Sequence, residues 1–269
     1  MEYVFNNNKR TAKRARVLGE KLVAAGERIG QSGSIEVLAE HQQVFYTLFG
    51  WWRLVNRSAR VFWLLNDQGF TVETAPNVRS ILEHTYSMMW LNDGGPIALV
   101  ALAARAQEER SKMVGDLERT GWEVAQELDG NVPPTLTVPV EGDPEYKQFT
   151  KLRGEVRTFG NLLAAYGRSD IYPVYRYLTN YAHARIASAE AYIDDDGAGT
   201  LSLRDVAKFT GYADVIATTL FLIQAGHVIS PLIKGDPLRR DLERVANDVG
   251  MGAPELLRDT RTKPLTGTV

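Results

Sequence analysis

The chain has 269 residues, of which 44% are hydrophobic and 24% charged, a globular composition that excludes disorder over the whole length. Its 31 lysines and arginines against 33 acids give a net charge of -2, so the surface as a whole does not attract nucleic acid or anionic membranes. The absence of cysteine excludes disulfides, thiolate zinc sites and a cysteine nucleophile. The first residues are polar and charged where a signal peptide needs an apolar core, which predicts a cytoplasmic protein.

Apolar residues recur at spacings of three and four along most of the chain, which predicts helices nearly throughout. A basic N-terminal helix is expected over residues 1–30 and a helical bundle domain over 31–250, followed by a polar tail over 251–269. Within the bundle, the pattern and the capping residues predict helices at about 34–66, 73–91, 96–128, 144–166, 171–193, 203–233 and 237–249.

Three segments depart from simple helical periodicity. The stretch DGNVPPTLTVPVEGDPE has four prolines and predicts a long loop over 129–143, with a short extended piece at TLTVPV. The apolar run 215–233 is long enough to approach a membrane span, but its polar residues favour a buried core helix, so no membrane is expected. Residues 194–205 resemble a calcium loop whose fifth position is Ala198, which favours a helix-capping turn instead.

These elements predict an all-α fold. The expected architecture is an irregular antiparallel helical bundle of about seven to eight helices, with one long Pro-rich loop.

One candidate site lies in the segment YPVYRYLTNYAH. Arg176, Asn180 and His183 fall on one face if this segment is a single helix, beside a core-facing stripe that includes Tyr175. The imidazole of His183 could transfer a proton near neutral pH, and Arg176 could hold a phosphate. The alternative is a structural histidine whose ring is hydrogen-bonded by Glu83 or by a carbonyl group.

A second polar set lies on the predicted third helix, in the segment RSILEH. Arg79 and Glu83 are one turn apart among apolar neighbours, so they are expected to be partly buried, and His84 follows directly. Because a buried charge needs a partner, the two side chains either pair with each other or take part directly in catalysis.

The RSILEH helix and the later YRYLTNYAH segment together resemble a bacterial helical family of unknown function, domain-of-unknown-function family 5677. The resemblance covers about residues 35–233 and implies a helical fold without an established reaction. Its pattern falls on the positions Arg79, Glu83, Tyr177, Thr179 and His183.

Arg176 and His183, with six residues between them, also give a looser resemblance to HEPN ribonucleases. The residue after the arginine is usually polar in that group, whereas Tyr177 stands here. This resemblance implies a metal-independent endoribonuclease without a cofactor, with a site shared by two protomers and a role in phage defence or a toxin system. Arg176, Asn180 and His183 would be catalytic, and Arg79, Glu83, His84 and Tyr177 would support them.

The N-terminal helix has an excess of cations that could contact RNA phosphates, although a solvated helix surface is the alternative. The cations expected to contact nucleic acid are Lys9, Arg10, Lys13 and Arg14. No metal site is expected, because the four histidines are scattered. The alternative to an enzyme is an interaction protein with a protein partner, in which the Arg, Glu and His set is a buried structural network. Catalysis requires His183 to be exposed to a groove, whereas a structural network requires it to be buried.

Overall fold

The computed structural model describes residues 8–121, 137–208, 211–249, 259–262 and 264–265. Within these ranges the fold is all-α, as predicted, with nine α-helices and one small two-stranded sheet. The predicted loop over 129–143 lies outside the described residues up to position 136, and residues 137–140 form no strand. Buried residues from eight of the nine helices form one hydrophobic core, with Trp52, Tyr86 and Trp90 among its largest side chains.

Helix α1 spans Lys9–Gln31 and begins at Asn8, whose side-chain oxygen accepts a hydrogen bond from the Thr11 amide at 3.0 Å. Its apolar stripe is buried against helix α8 (Ala213–Ile229). Helix α2 spans Gln42–Asp67 and begins later than predicted. The backbones of residues 36 and 38 are instead hydrogen-bonded to those of Lys234 and Leu232 in an extended arrangement. These backbone groups therefore have partners without forming a helix.

Helix α3 covers Ala75–Arg119 and bends at Gly95, whose φ of 57° and ψ of -146° are not helical. The predicted break at NDGGP is therefore confirmed as a bend. The two predicted helices follow each other directly at this bend, with no loop between them. Pro96 follows the bend, where its missing amide hydrogen is not needed. The N-terminal half of α3 packs against α2 and lies in the centre of the fold, with Met88, Met89 and Trp90 fully buried.

Two predicted helices are each broken in two. Residues 144–166 form α4 (Tyr146–Val156) and α5 (Phe159–Ala165), because the Thr158 hydroxyl caps the second helix and accepts from the Asn161 amide. Residues 171–193 form α6 (Tyr172–Ala182) and α7 (Ile186–Glu190), so the prediction of one continuous helix is wrong. His183 adopts extended φ and ψ values of -130° and 161°, which turns the chain between them.

Residues 193–203 form a β-hairpin, so the prediction of a helix-capping turn is wrong. Strand β1 (Ile193–Asp195) pairs antiparallel with β2 (Leu201–Leu203). The Asp196 carboxylate accepts hydrogen bonds from the Ala198 and Thr200 amides and fixes the turn. Asp194 forms ion pairs with Arg204 and Lys208, so it holds the hairpin together.

Helix α8 is the most apolar helix, and it lies in the core as predicted. A segment Ala213–Leu232 is long and apolar enough to cross a membrane, but 72% of its most apolar window is buried inside the described structure. Helix α9 (Arg239–Val249) packs on α1 and α8. Protein thus covers the apolar surface of α8. A core helix resembles a membrane span because both are apolar on all sides.

Part of the predicted polar tail is docked on the body of the protein. Arg168 donates two hydrogen bonds to the Asp259 carboxylate, at 2.7 and 2.8 Å, and the Tyr86 hydroxyl donates a third. Arg261 forms an ion pair of 2.5 Å with Glu155 on α4, in which 9% and 12% of the two side chains are exposed. Residues 259–262 therefore contact α4 at Glu155, α5 at Ala165 and the first third of α3 at Tyr86.

The crossing of α1, α2 and α8 depends on a glycine at position 19. A Cβ atom there would lie 2.6 Å from Trp63 Cζ2 and 2.9 Å from Thr219 Oγ1. We expect Gly19→Ala to lower the free energy of unfolding by about 1–2 kcal/mol, because overpacking outweighs the gain in helix propensity.

Gly50→Ala on α2 is a matched control in urea unfolding for Gly19→Ala. A Cβ atom at Gly50 meets nothing within 4 Å, so the control gains the same propensity without the clash and is expected to be stabilised by up to about 1 kcal/mol. Equal effects of the two substitutions would contradict close packing at position 19.

Asp214 in the first turn of α8 is expected to destabilise the fold at neutral pH. Burial raises the pKa of this carboxyl above its ordinary value of 3.8. The folded state therefore disfavours the charged form of Asp214. The free energy of unfolding falls as the pH rises from the ordinary pKa of this carboxyl to its raised pKa in the folded protein. Asp214→Asn should raise the Tm at pH 7, and this gain should shrink towards zero in thermal melts at acid pH. A lower Tm of the variant at pH 7 would contradict it.

Candidate functional site

The first part of the site is an ion pair on α3. Arg79 and Glu83 lie one helical turn apart, and Arg79 Nη2 is 3.2 Å from Glu83 Oε1. The Arg79 side chain is 21% exposed and the Glu83 side chain 34% exposed, so both are accessible from the surface. The predicted pairing of these two residues is present, and it leaves part of the guanidinium group for other partners.

Helix α6 supplies a tyrosine to the same group. Arg79 Nη2 donates to the Tyr175 hydroxyl at 2.8 Å, and the guanidinium carbon lies 4.8 Å from the centre of the Tyr175 ring. Burial, together with the Glu83 charge, raises the pKa of Tyr175 despite the opposing effect of Arg79. The hydroxyl therefore stays protonated at neutral pH and remains able to donate a hydrogen bond.

The turn after α6 brings a histidine to Arg79. Because α6 ends at Ala182 and His183 is extended, its exposed ring reaches α3, where Arg79 Nη1 lies 2.9 Å from His183 Nε2. A guanidinium group cannot accept a hydrogen bond, so Nε2 is the acceptor in this contact. Arg79 thus joins Glu83, Tyr175 and His183 into one group, here called the Arg79 cluster.

Three members of the Arg79 cluster, Arg79, Glu83 and Tyr175, line a cleft of about 490 Å³ between α3, α5 and α6, and His183 is joined to this cleft through Arg79. Three arginines and one carboxylate line this cleft, so its charge favours an anion. Arg79, Arg105, Arg157 and Glu83 are these four residues. The ring of Tyr172, which is 39% exposed, forms part of the same wall. The arrangement therefore combines a cationic surface, an aromatic ring and an acid–base group.

The structure separates the residues that the sequence placed on one helical face. Arg176 and Asn180 are exposed on α6, and neither side chain has a hydrogen bond or ion pair to another described residue. His183 leaves that face because the helix has already ended. Tyr177 is 36% exposed and packs its ring against Tyr181, so Tyr175, not Tyr177, is the tyrosine that contacts Arg79.

The other predicted residues lie away from the Arg79 cluster. His84 Nδ1 is 2.7 Å from the Ser80 carbonyl oxygen, and its ring faces Trp51 on α2. The cations of α1 are on a helix that packs against α2, α8 and α9. Lys9, Arg10 and Lys13 are exposed there, whereas Arg14 lies 3.9 Å from Asp248. Among the described residues, no three His, Asp or Glu side chains are placed to hold a metal ion.

Sequence reasoning missed three residues that line the cleft. Arg105 and Arg157 are far from the motifs in sequence. Arg105 shares the cleft with Arg79 because α3 bends at Gly95 between them, and Arg157 reaches it because α4 packs against α3. Tyr175 was assigned to the core-facing stripe of its helix. That stripe is also the one that faces Arg79. The signal in the sequence was the tyrosine hydroxyl on this stripe, which could partner the predicted Arg79–Glu83 pair.

The fold and the Arg79 cluster define an all-α protein in which an arginine and a glutamate on one helix meet a tyrosine and a histidine from a later one. The chain belongs to DUF5677, a family of unknown function, which matches residues 45–200. The match covers more than half of the chain and includes every member of the Arg79 cluster. It is narrower than the expected 35–233 and gives no support to the HEPN resemblance, which stays a prediction. No curated protein and no solved structure is significantly similar to the chain.

Proposed function

We propose that this protein is a metal-independent endoribonuclease of HEPN-like type that acts at the Arg79–His183 pair. The contact of 2.9 Å between Arg79 Nη1 and the Nε2 atom of the exposed His183 carries this proposal. It places an acid–base group beside a permanent cation that lines a cleft with a surplus of positive charge. The exposure of His183 supports the enzyme over an interaction protein with a buried network, since such a network needs a buried ring.

The cluster suggests how the two groups would act on RNA. A substrate phosphate that takes the hydrogen bonds of Arg79 Nη1 would release His183 Nε2, whose lone pair could then accept the proton of the ribose 2'-hydroxyl. The 2'-oxygen attacks phosphorus, and the bond from phosphorus to the 5'-oxygen breaks. Arg79 would stabilise the charge that develops on the phosphate oxygens. Water would protonate the leaving oxygen, giving a 2',3'-cyclic phosphate and a 5'-hydroxyl end.

The proposal extends to the setting of the reaction. Such an enzyme would act in the cytoplasm, as part of phage defence or of a toxin system, and the HEPN resemblance implies a homodimer. Sedimentation of the purified protein would test the dimer directly. The catalytic pair differs from the one that the sequence suggests, because Arg79 takes the place of Arg176 beside His183.

Incubation of the wild-type protein with single-stranded RNA in excess chelator tests the proposal. We expect cleavage that leaves cyclic phosphate ends, and no cleavage of an oligonucleotide with 2'-deoxyribose at every position. Cleavage only after a divalent metal is added would contradict the mechanism. An intact RNA under all these conditions would contradict the enzyme and favour the interaction protein.

A further inference from the structure

A second cavity lies next to the cleft beside the Arg79 cluster. This cavity has a volume of about 600 Å³ and lies between the second half of α3 and α4. Arg105 and Arg157 line both spaces, so the two cavities are neighbours that share a wall. The two adjoining cavities are here together called the α3–α4 groove, and His183 is joined to it through its contact with Arg79.

Cations outnumber carboxylates along the α3–α4 groove. Five cationic side chains face three glutamates across the two cavities: Arg79, Arg105, Lys112, Arg153 and Arg157 against Glu83, Glu108 and Glu109. Arg105 pairs with Glu109, and Arg153 pairs with Glu108, which fixes those two arginines in place. The surplus of charge is therefore local, on a protein whose net charge is -2.

Two of these cations are available to a ligand. Arg157 and Lys112 are exposed, and within the described ranges neither side chain has a hydrogen bond or ion pair. An arginine without a partner presents a planar fork that matches a phosphate group. Arg157 lines both cavities and Lys112 lines the second one, so the two side chains offer separate sites for phosphates along the α3–α4 groove.

An aromatic surface lies at the start of the same groove. The Tyr172 ring is stacked on Tyr175, with ring centres 5.8 Å apart and an angle of 21° between the planes. The ring of Phe159 packs against the ring of Tyr175, with centres 4.7 Å apart, and so supports the Tyr175 ring. Tyr172 is 39% exposed, so it offers a π-face beside the arginines. Rigid aromatic rings next to a cationic track are how proteins hold unpaired bases.

We propose that the substrate is single-stranded RNA that lies in the α3–α4 groove, with one base stacked on Tyr172 and a phosphate bound by Arg157. A duplex cannot use Tyr172, because its bases are already stacked on each other. This inference rests on the proposed function, since it assigns the strand that the Arg79–His183 pair would cut. It also predicts that substrate length matters, because Lys112 lies beyond Arg157 in the second cavity.

Fluorescence anisotropy of labelled RNA of about ten nucleotides tests the inference, because this length fits the usual site sizes. The His183→Gln protein is used as the background, so that binding is measured without cleavage. We expect Tyr172→Leu to weaken binding roughly 5- to 150-fold, the usual effect of losing one stacked base. Arg157→Gln should lower the slope of log affinity against log salt by about 0.7, the contribution of one phosphate on a single strand.

Matched controls lie elsewhere on the surface. Tyr46 is 88% exposed on α2, and Tyr46→Leu should leave binding unchanged. Arg57 is exposed on α2 and lines a different groove, between α1 and α2, so Arg57→Gln should not alter the salt slope. Thermal melts of all variants check that each is folded.

The outcomes separate the two proposals. Tight binding of single strands that is lost in Tyr172→Leu supports RNA binding in the α3–α4 groove. This holds even if the wild-type protein cuts nothing and the ribonuclease proposal fails. Equal affinity for a duplex of the same length, with no effect of Tyr172→Leu, overturns the groove, even if the wild-type protein cuts RNA. An effect of Arg57→Gln as large as that of Arg157→Gln also overturns it.

Discussion

The His183→Gln variant is expected to cleave RNA roughly 10²- to 10⁴-fold more slowly than the wild-type protein, because the variant lacks the group that accepts the 2'-hydroxyl proton. Glutamine keeps an oxygen that can accept the hydrogen bond from Arg79, which in the wild-type protein spans 2.9 Å. The side chain is exposed, so we expect the free energy of unfolding to change by less than about 1 kcal/mol. Single-turnover cleavage and urea unfolding of the same samples measure both effects.

Substitutions of two arginines decide which one belongs to the catalytic pair. Arg79→Lys keeps the charge but loses the fork that joins Glu83, Tyr175 and His183, so kcat should fall roughly 10²- to 10³-fold. Arg176→Gln is the matched control, because its exposed side chain contacts none of these groups. We expect this control to keep the wild-type kcat within a few-fold.

Two outcomes would contradict the assignment. If Arg176→Gln lost cleavage and Arg79→Lys kept it, the pair suggested by the sequence would be the active one. If His183→Gln unfolded at much lower urea concentration, His183 would be a structural residue, and slow cleavage would carry no information about catalysis.

The second large effect is expected at the docked C-terminal segment. Arg261→Met should lower the free energy of unfolding by about 1–3 kcal/mol, because it leaves the Glu155 carboxylate, whose side chain is 12% exposed, without its partner. Glu155 Oε2 already has no hydrogen-bond partner within the described part of the chain, so no second hydrogen bond to this oxygen compensates for the loss of Arg261. Chemical unfolding monitored by tryptophan fluorescence measures this loss.

A double substitution distinguishes a broken ion pair from simple loss of packing. Arg261→Met combined with Glu155→Leu removes both charges, and most of the lost stability should return. If the double variant lost the sum of the two single effects, the pair would not be coupled. Limited proteolysis with thermolysin should also cut the C-terminal segment faster in Arg261→Met, because the segment loses its ion pair with Glu155 and keeps the hydrogen bonds of Asp259, Thr262 and Pro264.

Docking of this segment links stability to the cleft. Glu155 precedes Val156 and Arg157, which line the cleft, and the Tyr86 hydroxyl that donates to Asp259 lies one turn beyond Glu83 on α3. Tyr86 also packs its ring against Phe159, behind the aromatic wall. Loss of the Arg261–Glu155 pair is therefore expected to reduce RNA binding as well as stability, and anisotropy on the same variant measures it.

The sequence by itself determined the helical class and most of the core. The three- and four-residue spacing of Ala15, Leu18 and Leu22 predicts which side of α1 is buried, because that spacing puts them on one face of any α-helix. The same local rule predicts the Arg79–Glu83 pair, which needs only one turn of helix. The break before Pro96 follows from the ring of that residue. Each of these features depends on residues close together in the chain.

Only the tertiary structure decided the membership of the candidate site. His183 meets Arg79, 104 positions away in sequence, because α6 ends at Ala182 and the extended residue after it faces α3. The YRYLTNYAH pattern continues a helical period through this turn, so local sequence gave no sign of the change. Arg157 reaches the cleft because α4 packs on α3. Periodicity reports which face of a helix is apolar, whereas the partners of a polar side chain depend on long-range packing.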